Sequence, residues 1–302
     1  MKSAHPPELI MQINKCGWLV DPPLVCAHGG DTTNAFPNTI AAYRAALQSG
    51  VDCIEIDVSC SSDGVLYAIH DRCDFYLSMN RWTHNAQLIG LNRDLQRISG
   101  NHTARVGFLS TQEINELNQS PEILDDQKAA TVEDALMMVS NSVRKVIVDA
   151  KVGPPLYEKG LAERIIAAVS GSFNSVQRTR CANCVVWAKS DTLVRDITRL
   201  SPDTLVGYIV MNDLSTGARS SLLRIRRASV VGIYHPLVDE KVVQILHGKN
   251  KKIYAWTVDD VTSMQNMLAK RVDAIITNNP TMLQQLMEDT RIECLEEGFS
   301  LL

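Results

Sequence analysis

Glu55 and Asp57, two residues apart in the run CIEIDV, are the first groups in this 302-residue chain whose types and spacing point to chemistry. On an extended strand they share a face, and Ile54, Ile56 and Val58 take the other. Two carboxylates on one face repel unless a cation or a proton neutralises them, so the pair predicts a bound metal. Ser61-Ser62-Asp63-Gly64 follows, and Asp-Gly between apolar runs predicts a tight hairpin. With Asp63-Gly64 as a two-residue loop, Ser62 pairs with Val65 and His70 falls opposite Asp57, with Cβ atoms about 5 Å apart. The later run VIVDAK sets Asp149 and Lys151 on one face of another strand. Asp149 is then a third hard oxygen ligand, in a set suited to Mg²⁺ or Ca²⁺. Lys151 could screen a substrate phosphate. His28, in AHGGD, is followed by glycines that let a ligand approach the backbone closely. Two histidines flanking a carboxylate-bound cation can serve as base and acid for cleavage at phosphorus. The plainer alternatives are a solvated Glu-x-Asp face, a structural Asp–Lys pair and a structural histidine.

These side chains need a scaffold that gathers strand ends. Apolar strand candidates recur at 24–28, 53–58, 65–70, 145–151, 184–189, 205–210, 230–235, 252–258 and 274–278. Helical patterns separate most of them, at 38–49, from Val132 onward, and at 161–169, 191–200, 260–269 and 281–288. Asn38 is the expected N-cap of the first, with Gly50 as its stop, and Thr131 the cap of VEDALMMV. Alternating strands and helices predict a parallel sheet covered by helices. The link from Val58 to Val65 is too short for a crossover, which needs a dozen or more residues. The expected fold is therefore an α/β, TIM-type (β/α)8 barrel with a small hairpin insertion at its mouth. It forms one domain, with its core at about 22–290. Barrel active sites lie at the C-terminal strand ends. The polar residues there are His28, Glu55, Asp57, Asp149, Lys151, Lys189, His235 and Asn278.

Composition narrows the partners. A net charge of −4 gives no broad basic field for nucleic acid. Arg224, Arg226 and Arg227, and also Lys249, Lys251 and Lys252, read as solvated basic faces. Eight cysteines in a chain of this length do not make a small disulfide scaffold. Cys26 and Cys53 read as buried thiols, and Cys181-x-x-Cys184 lacks the second ligand pair of a zinc site. Reducing conditions, and with them a cytoplasmic setting, are mildly favoured. No signal peptide is visible, although a natural targeting or anchor segment ahead of Met1 stays open. No run approaches the roughly 18 apolar residues that would cross a membrane, so a soluble protein is expected.

The run CAHGGDTTNAFPNTIAAYRAALQSGVDCIEIDVSCSSDGVLYAIHD resembles the N-terminal signature of the glycerophosphodiester phosphodiesterase family, in wording closest to plant-type members. The strand ending Asp149-Ala150-Lys151, then WTVDD (256–260) and VDAIITNNP (272–280), extend the likeness along the chain. The resemblance implies a barrel of the phospholipase C-like phosphodiesterase kind. It implies His28 and His70 as the catalytic pair and Glu55, Asp57 and Asp149 as ligands of a divalent cation. Lys151, with Lys189 and Trp256, would contact substrate or its phosphate. The implied reaction converts a small-molecule glycerophosphodiester to sn-glycerol 3-phosphate and an alcohol; the oligomeric state is left unassigned. Other readings are a phospholipase-like activity on intact lipid and a weakened barrel that binds phosphodiesters without turnover. Four departures bear on activity. Gly29 stands where the family has arginine, Pro37 where it has glutamate, and Asp149 replaces a longer glutamate. About twenty extra residues, roughly 72–92, precede DLQRISG. They are expected to form a mobile insertion without catalytic residues, and His84 and His102 to face solvent.

Overall fold

The computed structural model describes residues 15–70, 93–100, 104–171, 180–211 and 221–299. The 72–92 insertion, with His84 and His102, lies outside them. Nine strands are present among the described residues: β1 (Leu24–Ala27), β2 (Cys53–Cys60), β3 (Leu66–Ala68), β4 (Lys145–Ala150), β5 (Cys184–Ala188), β6 (Leu205–Val210), β7 (Val230–Tyr234), β8 (Lys252–Trp256) and β9 (Ala274–Thr277). Eight pair in parallel in the order β1-β9-β8-β7-β6-β5-β4-β2. β1 also pairs with β2, so the sheet closes into the expected barrel. β3 runs antiparallel to β2, outside that ring.

Alternation along each strand builds two apolar layers. Ile54, Ile56 and Val58 point outward, into the layer shared with the helices. Cys26, Cys53, Ile147, Val185, Trp187, Ile209, Val230 and Tyr254 fill the barrel interior. Trp187 is the bulkiest plug, and Gly232 opposite leaves it room: a Cβ there would lie 2.6 Å from the indole ring. The interior below the mouth is therefore solid, which leaves polar side chains only the upper strand ends.

The helices follow the expected pattern with additions. α1 (Ile40–Gln48) is capped by Thr39, whose hydroxyl accepts from Ala42 N, and not by Asn38. Asn38 adopts φ 58 and turns its side chain to the barrel instead. α2 (Arg93–Ser99) and α3 (Thr111–Asn118) follow β3, and α4 (Val132–Val139) is capped by Thr131 as anticipated. α5 (Leu161–Ser170) and α6 (Asp191–Leu200) cover the next strands. α7 (Glu240–His247), α8 (Val261–Ala269) and α9 (Pro280–Glu296) complete the set. α2, α3 and α7 were not anticipated; each spans only two turns or so, too short for a clear period.

Two further expectations are corrected. Cys16–Cys294 and Cys181–Cys184 are disulfides, whereas Cys26, Cys53 and Cys60 are free. The first bond joins residues 278 apart in sequence, a proximity that only the folded chain creates. These bonds also remove the ground for favouring a reducing compartment. Nor are the basic clusters wholly solvated. The Arg224 guanidinium lies 2.9 Å from Asp191 and 4.6 Å from the Tyr208 ring, and the Lys251 side chain is buried against backbone carbonyls. Among the described residues no helix is long and apolar enough to cross a membrane.

Candidate active site

The hairpin that carries the first acids forms, but one residue out of the expected register. Val58 pairs with Ala68, Ser59 with Tyr67 and Cys60 with Leu66. The loop has three residues, 62–64: Ser61 N donates to Val65 O at 2.9 Å and Gly64 N to Ser61 O at 3.1 Å. Gly64 takes φ +93, the left-handed position that such a loop reserves for glycine. Asp63 is held elsewhere, its carboxylate accepting from Thr111 N at 2.9 Å and from the Ser61 hydroxyl at 2.6 Å. Extending the ladder would put Ile69 opposite Asp57 and turn His70 to the other face. The ladder ends at Ala68 instead, and His70 leaves it near enough to Asp57 for its charge to act on that carboxyl. His70 acts on Asp57 from the irregular segment after β3 and not through strand pairing.

β2 and β4 align Asp57 with Asp149, and Glu55 lies two residues deeper on the same face. One oxygen from each of Glu55, Asp57 and Asp149 lies within 4.8 Å of the other two, and all three residues are buried. Lys151, 8 % exposed, reaches into this group, with Nζ 2.6 Å from Asp57 Oδ1 and bonded to Asp149 Oδ2. Asn38 fixes Asp57 from the other side: its Nδ2 donates to Asp57 Oδ2 at 2.8 Å, and Asp57 N donates to its Oδ1 at 3.2 Å. Tyr43 OH, at 3.3 Å from that same Oδ1, keeps the amide oriented.

Burial would by itself raise the Asp57 carboxyl, but Lys151, His70 and His28 together hold it far below the ordinary carboxylate range. Glu55 behaves oppositely. Burial pushes it up to about 8, and Asp57 and Asp149 add to that rise against the opposing pull of His28. The cluster therefore limits its own repulsion with one ammonium and one proton. Glu55 Oε2 and Asp149 Oδ1 are buried and accept no hydrogen bond. Buried carboxylate oxygens left without a donor, converging within one ion's reach, fit a hard divalent cation.

His28 follows β1 directly. Its Nδ1 lies 2.8 Å from Asn278 Oδ1, and its Nε2 lies 3.5 Å from Glu55 Oε2. Asn278 is in turn fixed by Asp259, which accepts from Asn278 Nδ2 at 2.6 Å, Asn278 N at 2.8 Å and Thr277 Oγ1 at 3.1 Å. With the amide nitrogen committed to Asp259, Oδ1 faces the imidazole, so Nδ1 carries the proton and Nε2 is left to exchange one. Burial lowers the affinity of His28 for a second proton, but Glu55 and Asp57 outweigh it and the net shift is upward. Asp259 and Asn278 sit in the WTVDD and TNNP runs, yet neither had an assigned role, because their pairing joins the ends of different strands.

Lys189 and Trp256 meet across the mouth, with the ammonium 5.7 Å from the ring centroid. Tyr234, which the sequence did not single out, packs on Trp256 at 5.6 Å. His235 starts a short 3-10 turn just after β7 (His235–Leu237). Gly29 has φ +63, and a Cβ there would lie 3.0 Å from Pro37 Cβ, so two of the departures at the first loop are packed against each other.

Residues 28–282 match the sequence profile of the Glycerophosphoryl diester phosphodiesterase family. The chain is 55% identical over 290 residues to an Arabidopsis thaliana protein named glycerophosphodiester phosphodiesterase GDPD4, covering 95% of this chain and 80% of that one. A glycerophosphodiester phosphodiesterase from Caldanaerobacter subterraneus is 27% identical over 270 residues, covering 87% of this chain and 97% of its own. The fold is shared with a solved Parabacteroides distasonis glycerophosphodiester phosphodiesterase at TM-score 0.65 and 20% identity, over 89% of this chain and 98% of that one. It is also shared with an Oleispira antarctica phosphodiesterase solved in complex with the product sn-glycerol-3-phosphate. That match has TM-score 0.61 and 21% identity, over 88% of this chain and 97% of the other.

Proposed function

Since the chain belongs to the glycerophosphoryl diester phosphodiesterase family, as a plant-type enzyme of that class, we propose that it hydrolyses small glycerophosphodiesters to sn-glycerol 3-phosphate and an alcohol, using two histidines and a divalent cation. The observation that carries this reading is the buried trio Glu55, Asp57 and Asp149, with one oxygen from each inside 4.8 Å and His28 and His70 both acting on Asp57. We read the chain as one catalytic domain, with its core at about 22–290.

Glu55, Asp57 and Asp149 would hold Mg²⁺ or Ca²⁺, which draws charge from the phosphoryl oxygens when bound. Asn38 keeps Asp57 aimed at that position. Lys151 balances the carboxylates and faces the incoming phosphodiester. His28, with Nδ1 committed to Asn278, accepts at Nε2 the proton of the attacking hydroxyl: water gives sn-glycerol 3-phosphate directly, whereas the neighbouring glycerol hydroxyl gives a cyclic phosphate that one water then opens. His70 donates a proton to the departing alkoxide. As product leaves, His28 gives its proton to solvent and His70 takes one up, which restores both side chains. Lys189 and Trp256 line the side on which the substrate enters.

The test uses glycerophosphocholine with the purified protein, with and without Mg²⁺ or Ca²⁺, beside His70→Ala and Glu55→Ala. Release of sn-glycerol 3-phosphate that requires the cation and both side chains supports the proposal. Turnover that survives chelation, or either substitution, overturns it.

A further inference from the structure

Beside the carboxylate trio stands a further charge, Arg105, with no role in the scheme above. Arg105 precedes the 3-10 turn Val106–Phe108 and has extended backbone, φ −136 and ψ 131. Its position is held from both sides. Val106 is buried, and Gly107 lies so close to the 153–155 segment that a Cβ on it would be 2.1 Å from Pro154 O. The guanidinium lines a recess shared with Ser59, Cys60, Lys151, Gly153 and Tyr157. Ser59 continues the inward face of Glu55 and Asp57 along β2, and Gly153 that of Asp149 and Lys151. The recess therefore sits just outward of the metal-binding position.

Arg105 Nη1 is buried and has no hydrogen-bond partner, and no ion pair of Arg105 is found among the described residues. A guanidinium nitrogen shut away from water without an acceptor is costly and rare, because its hydration is lost and nothing replaces it. The other cation in the recess, Lys151, is nine-tenths buried and already turned to Asp57 and Asp149. Two cations face one recess that no carboxylate among the described residues lines, and the group that would complete it is an anion. The free volume is about 30 Å³. That is enough for one oxygen-sized atom, roughly 10–15 Å³ being the minimum.

We propose that Arg105 and Lys151 form an oxyanion recess at the barrel mouth that receives one non-bridging phosphate oxygen of the substrate, the phosphorus remaining outside above the carboxylates. Arg105 thereby supplies the charge-assisted donor that the glycine at position 29 lacks. The substrate class follows from the shape: a phosphodiester that presents a bare oxygen beside the metal-binding position. Guanidinium recognises that oxygen as a fixed planar fork, so a lysine at 105 is only a partial substitute.

This inference rests on the phosphodiesterase reading, and its test separates the two. The first measurement is calorimetric titration of cation-free protein with inorganic phosphate and with sn-glycerol 3-phosphate, for wild type, Arg105→Ala, Arg105→Lys and Glu55→Gln. Arg105→Ala is expected to weaken both ligands at least tenfold, Arg105→Lys less, and added guanidinium chloride to restore part of the loss in the alanine variant. Glu55→Gln binds both ligands at least as well as wild type. In turnover of glycerophosphocholine with cation present, Arg105→Ala lowers kcat/KM by the same tenfold or more. Wild-type affinity in Arg105→Ala with an unchanged melting temperature overturns the recess. Should the alanine variant fail to fold, Arg105→Lys decides: unaltered phosphate affinity and kcat/KM in it have the same meaning. Loss of phosphate binding in the Arg105 variants, alongside full turnover in Glu55→Gln, would keep the recess and sink the metal-dependent mechanism.

Discussion

The two ends of the barrel treat charge in opposite ways. At the base, the Lys251 ammonium is buried but donates to Ile225 O at 3.1 Å, to Arg226 O at 3.3 Å and to Ala228 O. Asp273 accepts from Ile253 N at 2.8 Å and lies 2.6 Å from Lys252 and 2.8 Å from His247. Asp52 accepts from Val25 N at 3.1 Å and from Arg144 at 3.2 Å. Each of these groups ties a strand start to a neighbouring element. At the mouth, Glu55 Oε2, Asp149 Oδ1 and Arg105 Nη1 are equally shut from water and have no hydrogen-bond partner. The same residue types serve cohesion at one end and are left short of partners at the other, where a ligand can supply the missing contacts. Charge burial alone does not mark a site; unanswered burial does.

The contrast breaks first at the mouth. His70→Ala is expected to lower kcat by about 10²- to 10⁴-fold, the range for a lost general acid, with no fall in melting temperature. A large drop in melting temperature instead would make His70 a structural group. Chelation should abolish turnover, and restoring Mg²⁺ or Ca²⁺ should add about 2.7 kcal/mol of stability at one hundred times the dissociation constant. A melting curve insensitive to both ions counts against the trio as ligands.

Changes remote from the mouth should do the reverse, costing stability and sparing turnover. Replacing Cys16 and Cys294 together by serine is expected to cost about 2–4 kcal/mol, seen as an earlier denaturation midpoint at unchanged kcat/KM. Lys251→Met leaves three carbonyls without their donor, for a loss of about 1–3 kcal/mol. Its kcat/KM should stay within about twofold of wild type, a change near the level of ordinary surface substitutions; a tenfold loss would show the two ends to be coupled.

The finest test is pH dependence without cation. Glu55 titrates near 4.5 ordinarily and near 8 in the folded protein, so across that window the native state holds a proton that the unfolded chain has released. Its contribution to stability is fully present below about 4.5 and is lost as pH rises through 8. Denaturant titrations with chelator at pH 5, 6.5 and 8 should show this decline, and Glu55→Gln should flatten it. A slope unchanged in the variant assigns the proton to another group.

Much of this was legible in the residues themselves. The eight barrel strands and the inward faces of Glu55, Asp57, Asp149 and Lys151 follow from alternation along single strands, which neighbouring residues encode locally. The turn at Asp63-Gly64 was visible too, but its length was not. In the folded chain the Asp63 carboxylate accepts from Thr111, 48 residues away, a contact that the local sequence does not announce. Asn38 offered itself as a helix cap until the closed barrel brought Asp57 within its reach.

What the sequence by itself determined is the alternation that builds a barrel and the few strand ends able to carry chemistry. Only the tertiary structure decided that Asp259 orients Asn278 toward His28, that Cys16 meets Cys294, and that Arg105 faces a recess without an acceptor. The physical reason is range. Face and period are set by residues two to four apart, whereas a hydrogen bond across the mouth exists only once the sheet has closed and fixed which distant ends are neighbours.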